Sequence, residues 1–252
     1  MRLNERDFVG ALAKGLSVIQ ALGAAGGRRT LSEVARGTRL TRAAARRYLL
    51  TLAKLGYAET DGKHFALTPL VLRLGYAYLS TASLPRLAQP VLEAIGEQTQ
   101  EVASIAVLDG DDILFLARSA HRRIVSASTS IGTRLPAHCT AIGRVLLAGR
   151  TDAEIERFLK GIRPKKLTPK TKIEFRELLA EILRARRQGY AISDEEVEIG
   201  LRSIAAPVTD SRGQTALAIA VSLQAARMTP AKMIERLLPA LQSGKQALSA
   251  ML

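Results

Sequence analysis

The 252-residue chain has a single cysteine, Cys139, and three histidines, His64, His121 and His138, none at metal-ligand spacing. One thiol excludes an intrachain disulfide and a cysteine-rich metal site, and points to a reduced, cytoplasmic setting. No apolar run approaches the roughly 20 residues of a membrane-spanning helix. The opening MRLNERDFVG mixes acids with bases and does not read as a signal peptide. Nucleophile elbow, P-loop and dinucleotide fingerprint are all missing, as are internal repeats and low-complexity tracts. Acids are scarce too: 23 Asp and Glu face 37 Lys and Arg, a net charge of +14 and a pI near 10.5. These absences predict no cofactor, no metal and no membrane partner, and leave an excess of positive charge to explain.

That charge is uneven. Residues 1–80 hold 13 bases and 5 acids, a net +8, whereas the remaining 24 bases and 18 acids give +6 over twice the length. An anionic partner for the N-terminal part follows. Within it, Thr41 to Tyr57, TRAAARRYLLTLAKLGY, reads as a helix capped by the Thr41 hydroxyl. Ala45, Tyr48, Leu49, Leu52 and Leu55 share one face and should be core. Arg46, Arg47 and Lys54 lie on the other side, Arg42 flanks it, and small Ala43 and Ala44 separate the first arginines. An arginine-studded N-terminal half suits a DNA major groove, where arginine reads guanine edges or grips phosphate. A solvated basic face on an ordinary core helix is the competing reading, and the neighbouring segments decide.

Phe8 to Ala25 reads as a first helix, with Phe8, Leu12, Leu16, Ile19 and Leu22 as its apolar stripe and Gly26-Gly27 as its end. Thr30 or Ser32 starts a short second helix closed by Gly37. A tight turn then leads to the arginine helix, the order of a helix-turn-helix. After Gly56, Asp61-Gly62 marks a hairpin, with Lys63 and His64 at its tip. A basic hairpin in this place is a wing. Pro69 opens a helix to Ser80 that is apolar on most faces and suited to a partner chain.

Leu84 to Gln98 predicts another helix, and then the pattern turns to strands. Val102 to Leu108 and Ile113 to Ala117 flank an Asp-Gly turn, with a third strand at Ile124 to Ser128. Helices follow at Pro136 to Ala148, Ile155 to Leu159 and Ile173 to Gln188. Strands at Ile204 to Val208 and Thr215 to Leu223 precede a closing helix from Pro230 to Leu252. The fold class is α+β: a winged helix-turn-helix over 1–68, a linker helix over 69–82, and an α+β domain with an antiparallel sheet over 83–252.

From about residue 10 to about 250 the chain resembles the IclR family of bacterial transcription regulators. GYAISDEEVEIGLRSIAAPVTD carries most of the resemblance, with Gly189, Ser193, Glu196, Ser203, Ile204, Ala205 and Asp210 at the family's signature positions. Two positions depart: Thr209 stands where an aromatic or histidine is usual, and Ser203 where cysteine is common. SIGTRLPAHCTAIGRVLLAG, the run Leu116 to Arg144 and VSLQAARMT look like the branch that regulates aromatic-acid catabolism through protocatechuate and the β-ketoadipate route.

The resemblance implies a GAF-like effector-binding domain and a pocket between its sheet and the segment Leu135 to Gly143. Leu135, Ala141, Ile142, Ser193, Ser203, Ala220 and Ser222 stand at the family's pocket positions. The residues agree in part: N–H groups opening a helix at Thr140 to Ile142 attract a carboxylate, and Ser203 and Ser222 are hydroxyls on otherwise apolar strands. Satisfying neighbouring backbone is the plainer role for such serines. Arg134 and Arg118 are carboxylate-clamp candidates by charge, against a reading as surface arginines. Cys139 is expected to be buried and inert, and His121 and His138 to make ordinary hydrogen bonds. Asp194, Glu195 and Glu196 could do acid/base work, but on the family reading Glu196 is structural.

The expected partners are therefore double-stranded operator DNA, met by Thr41, Arg42, Ala43, Arg46, Arg47, Lys63 and His64, and a small carboxylic-acid effector. A homodimer or a dimer of dimers is expected. The rival readings are a ligand-binding protein or enzyme with an incidental basic head, and a nonspecific architectural DNA binder.

Overall fold

Hydroxyl caps set the starts of most helices, and hairpin turns set the strand pairs. The computed structural model describes residues 7–23, 27–81, 83–119 and 130–252. Met1–Thr81 and Ala82–Leu252 form separate compact units.

The first unit runs α1 (Gly10–Gly23), β1 (Arg29–Thr30), α2 (Leu31–Thr38), α3 (Arg42–Lys54), β2 (Ala58–Thr60), β3 (His64–Leu67), a 3-10 turn at Pro69–Val71 and α4 (Leu72–Thr81). Thr30 and Glu33 form a reciprocal capping box on α2, and the Thr41 hydroxyl accepts the Ala44 N–H at 3.2 Å to open α3. β1, too short to leave a sequence pattern, joins the hairpin to give the order β1-β3-β2. Val18, Leu22, Val34, Leu49, Leu52, Ala58 and Phe65 form the core.

Two expectations change. Leu55 is 59% exposed rather than core, because it is the C-cap of α3, where the chain leaves the helix. Phe8, Leu12 and Leu16 are 62%, 63% and 48% exposed, whereas Leu22 lies in the core and Ile19 packs against it, so the expected stripe is covered only along the C-terminal half of α1. Leu72, Leu74, Tyr76 and Tyr78 on α4 are exposed as well.

The second unit contains α5 (Ser83–Thr99), β4 (Val102–Asp109), β5 (Asp112–Arg118), β6 (Arg134–Pro136), a 3-10 turn at Ala137–Cys139, α6 (Ala141–Ala148), α7 (Asp152–Gly161), α8 (Phe175–Gln188), β7 (Ala191–Asp194), β8 (Leu201–Thr209), β9 (Thr215–Gln224) and α9 (Pro230–Ser249). The strands make one antiparallel sheet in the order β6-β5-β4-β9-β8-β7. β6 and β7, of three and four residues, escape a search for alternation. The predicted strand at 124–128, and His121, lie outside the described residues.

Side chains alternate between two cores. One face packs Ala106, Ile113, Phe115, Ala205, Ala218 and Ala220 against α6 and α8. The other packs Ile105, Leu116, Ala117, Ile204, Ile219 and Val221 against α5 and α9. The α6 face is paved with small residues, which lets α6 lie close. A Cβ added at Gly143 would sit 2.0 Å from the Ala137 carbonyl oxygen, so only glycine fits there.

Candidate functional site

Two sites emerge, one in each unit. In the first, α3 follows α2 across a three-residue turn, Arg39 to Thr41. Thr41, Arg42, Ala43, Arg46 and Arg47 are exposed, while Ala45, Leu49 and Leu52 are buried. The arginines thus stand clear of the core on the N-terminal half of a capped helix. Among the described residues, Arg42, Arg46 and Arg47 make no ion pair. Arg36 and Arg39, exposed around the turn, extend this surface, and sequence reasoning passed over both. Their charge was the available signal, but their position beside α3 needed the fold. Arg39 adopts φ 56°, a left-handed conformation, and closes α2 through its N–H.

The hairpin is tied from within. Asp61 accepts the backbone N–H groups of Lys63 at 2.9 Å and His64 at 2.7 Å, and the Arg28 guanidinium at 2.9 Å. Those N–H donors hold its carboxyl well below the usual range. His64 is half-buried with Nδ1 3.3 Å from Asp61, so it helps build the turn, whereas Lys63 is exposed.

In the second unit, strand register gathers hydroxyls into a row. Ser193 on β7 pairs with Ser203 on β8, which pairs with Ser222 on β9, which pairs with Val102 on β4. The next row is Ala191, Ala205, Ala220, Ser104 and Arg118. Among the described residues the hydroxyls of Ser104, Ser203 and Ser222 have no hydrogen-bond partner. Ser193 differs: its hydroxyl donates to the Cys139 carbonyl at 2.7 Å and holds the 3-10 turn onto the sheet. Ser104 is missing from the sequence-derived set, and its signal was its alternation with Val102 and Ala106.

Above the sheet, Thr140 caps α6 by accepting the Gly143 N–H at 3.0 Å. Ala141 and Ile142 are buried in the shared core, and Leu135 packs against it. Arg144 is 1% exposed; it donates to Glu196 through two bonds of 2.7 and 2.6 Å and to the Ile192 carbonyl at 2.9 Å. Glu196 is therefore structural, and its neighbours Asp194 and Glu195 pair with Arg202 and Lys170. The structure does not bring Arg134 to the serine row. Arg134 pairs in register with Leu114, whose side chain lies on the α5–α9 face, and its guanidinium contacts Asp109 at 3.0 Å and Asp112 at 3.2 Å.

Burial pushes the Cys139 thiol up to about 12, with the charge of Glu196 adding to the shift. Burial lowers His138, against the opposing hydrogen bond to the Lys165 backbone, and its Nε2 is buried without a partner. Both groups stay neutral near pH 7. Among the described residues no cluster of His, Cys, Asp and Glu could hold a metal, and no helix is long and apolar enough to cross a membrane.

The family model for the bacterial transcriptional regulator IclR C-terminal domain matches residues 76–250, and that for the IclR helix-turn-helix domain matches residues 11–62. The chain belongs to the IclR family. It is similar to the Pca regulon regulatory protein of Pseudomonas putida, 44% identical over 96% of this chain and 84% of that protein. The p-hydroxybenzoate hydroxylase transcriptional activator of Acinetobacter baylyi is 38% identical over 96% of this chain and 91% of its own length. A solved inducer-binding domain of PobR from Acinetobacter, a double mutant in complex with 3-hydroxybenzoic acid, superposes with a TM-score of 0.65. It is 32% identical and covers 68% of this chain and all of that one. As an IclR-family member related to regulators of aromatic catabolism, the protein is a DNA-binding transcriptional regulator and not an enzyme.

Proposed function

We propose that this regulator changes its grip on operator DNA when a small hydroxylated aromatic acid binds over the serine row of the sheet, and that it works in the cytoplasm. The observation that carries this reading is the trio of unpaired hydroxyls, Ser104, Ser203 and Ser222, on an otherwise apolar face of alanines. Such a surface takes a flat apolar ring and hydrogen-bonds its polar substituents. The α6 start adds backbone N–H groups suited to a polar ring substituent, with Leu135, Ala141, Ile142 and Ala220 as apolar neighbours. The aromatic-acid complex of the PobR domain supports the same chemistry.

On the DNA side, Thr41, Arg42, Ala43, Arg46 and Arg47 enter the major groove and Lys63 holds phosphate. His64 serves the hairpin turn. Two heads are needed for paired half-sites. The exposed apolar residues of α1 and α4 supply a surface for a second copy, as a dimer or a dimer of dimers. Effector binding then favours one arrangement of the paired heads over another.

The test is a titration of 4-hydroxybenzoate, protocatechuate and aliphatic dicarboxylic acids, read by thermal shift and by operator affinity. Stabilisation by an aromatic acid together with a change in operator affinity, DNA bending or transcription is expected. No stabilisation across the set overturns the effector class; stabilisation with operator affinity, bending and transcription all unchanged overturns the coupling.

A further inference from the structure

We infer that Arg118 receives the carboxylate of the effector; this rests on the effector reading above. The argument starts from strand phase. Ile113 and Phe115 face the α6 core, so strict alternation would send residue 117 to that face and Arg118 to the opposite one. The register shift between Ile105 and Ala106 changes this. Phe115 pairs with Ala106 and Ala117 with Ile105, which leaves Leu116 as an extra residue on β5. Ala117 is consequently buried with Ile105 in the α5–α9 core. Arg118 is returned to the α6 face, opposite Ser104 and in the row of Ala220 and Ala205. A one-residue bulge that re-aims a single side chain is a recurrent device beside binding sites.

The backbone at this point is pinned. The Gln89 amide donates to the Arg118 carbonyl at 3.1 Å, and Ser119 exchanges two bonds with Ala103, of 2.8 and 3.0 Å. Arg134, by contrast, lies on the far face beside Asp109 and Asp112. Arg118 and Ser222 are two strands and two residues apart, roughly 12 Å between Cα atoms from standard strand spacing and rise. An extended arginine arm plus a benzene ring with substituents at opposite ends spans that distance. The carboxylate meets the guanidinium, the ring lies over Ser104 and Ala220, and the ring hydroxyl reaches Ser222 and Ser203. Guanidinium to carboxylate is the charge-assisted, two-pronged pairing that arginine geometry suits.

Isothermal titration of full-length protein with 4-hydroxybenzoate and its neutral analogue 4-hydroxybenzamide tests this. The wild type should prefer the acid. Arg118→Gln should weaken acid binding about 10- to 100-fold while leaving the amide within about twofold, so that the preference collapses. Arg118→Lys should recover part of it, and Arg134→Gln should change neither ligand. An unshifted melting temperature in Arg118→Gln excludes a folding defect; if that variant does not fold, the acid-to-amide ratio of Arg118→Lys is read instead. A variant that binds the acid and keeps the wild-type preference overturns the role of Arg118 alone. If the wild type binds no aromatic acid, the effector reading falls and this inference with it.

Discussion

Arg144 and Glu196 lie 52 residues apart in sequence, yet two hydrogen bonds of 2.7 and 2.6 Å join them where Arg144 is 1% and the Glu196 side chain 5% exposed. The pair ties the first turn of α6 to the loop after β7, and so sets the height of the α6 start above the serine row. Removing one partner leaves the other charged and buried. Glu196→Ala is expected to destabilise the protein by about 3–5 kcal/mol, measured by urea unfolding. Replacing both residues with apolar ones of similar volume should restore much of the loss. A small effect in the single variant would mean that the pair is not what holds α6.

Gly143 makes a sharper steric claim. Its missing Cβ is what lets the preceding 3-10 turn pass at contact distance, since an added carbon would sit 2.0 Å from the Ala137 oxygen and 2.5 Å from its Cα. Both clashing atoms are backbone and cannot swing aside. Gly143→Ala should cost about 1–3 kcal/mol or more and weaken effector binding, whereas Gly161→Ala, where a Cβ meets nothing within 4 Å, should not weaken binding.

His138 gives a pH dependence with a definite sign. Burial lowers its folded pKa below the ordinary 6.5, so the fold prefers the neutral ring. Its contribution to stability is present above the unfolded value and lost as pH falls through the folded one. Stability from chemical denaturation should decline below about pH 6.5, and His138→Gln should flatten that decline. An identical slope in both proteins would rule out His138 as the source.

Cys139 titrates on the other side of neutrality. With its thiol pushed up to about 12, it stays protonated at pH 8, and a thiol reagent should label the native protein far more slowly than the urea-unfolded chain. The raised folded pKa also means that its contribution holds below the unfolded pKa near 9 and is lost as pH climbs from there towards 12. Rapid native labelling at pH 8 would contradict the burial.

The DNA head predicts separable functions. Charge reversal at Arg46 and Arg47 should abolish operator binding and leave effector binding within about twofold, as expected for exposed residues outside the head's core. Lys63→Ala should weaken binding similarly on operator and random DNA and reduce the salt slope by about one. Full operator affinity in the reversed variant would remove α3 from the interface.

Much of the architecture is legible in local signals. Thr41, the Thr30–Glu33 box and the Thr151–Glu154 box each act over three residues, so helix starts can be found from sequence. Asp61-Gly62 and the Asp109–Asp112 turn fix hairpins by the same short reach. Boundaries drift where no cap speaks: α1 begins at Gly10, and the expected helix from Pro136 opens as a 3-10 turn until Thr140 caps α6. Leu55 was misplaced because period alone does not say where a helix stops being covered.

The sequence by itself determined the basic head, the order of helices and strands, and the family to which they belong, since all of these rest on composition and on contacts within a few residues. Tertiary structure decided the rest. It showed that Ser193 is engaged with Cys139 while Ser104, Ser203 and Ser222 are not, that Arg134 faces away, and that Arg118 faces the row. Those facts depend on strand register and on one bulge, where a shift of a single residue exchanges the two faces of a strand. Period-two patterning carries no record of that shift until the partner strands are in place.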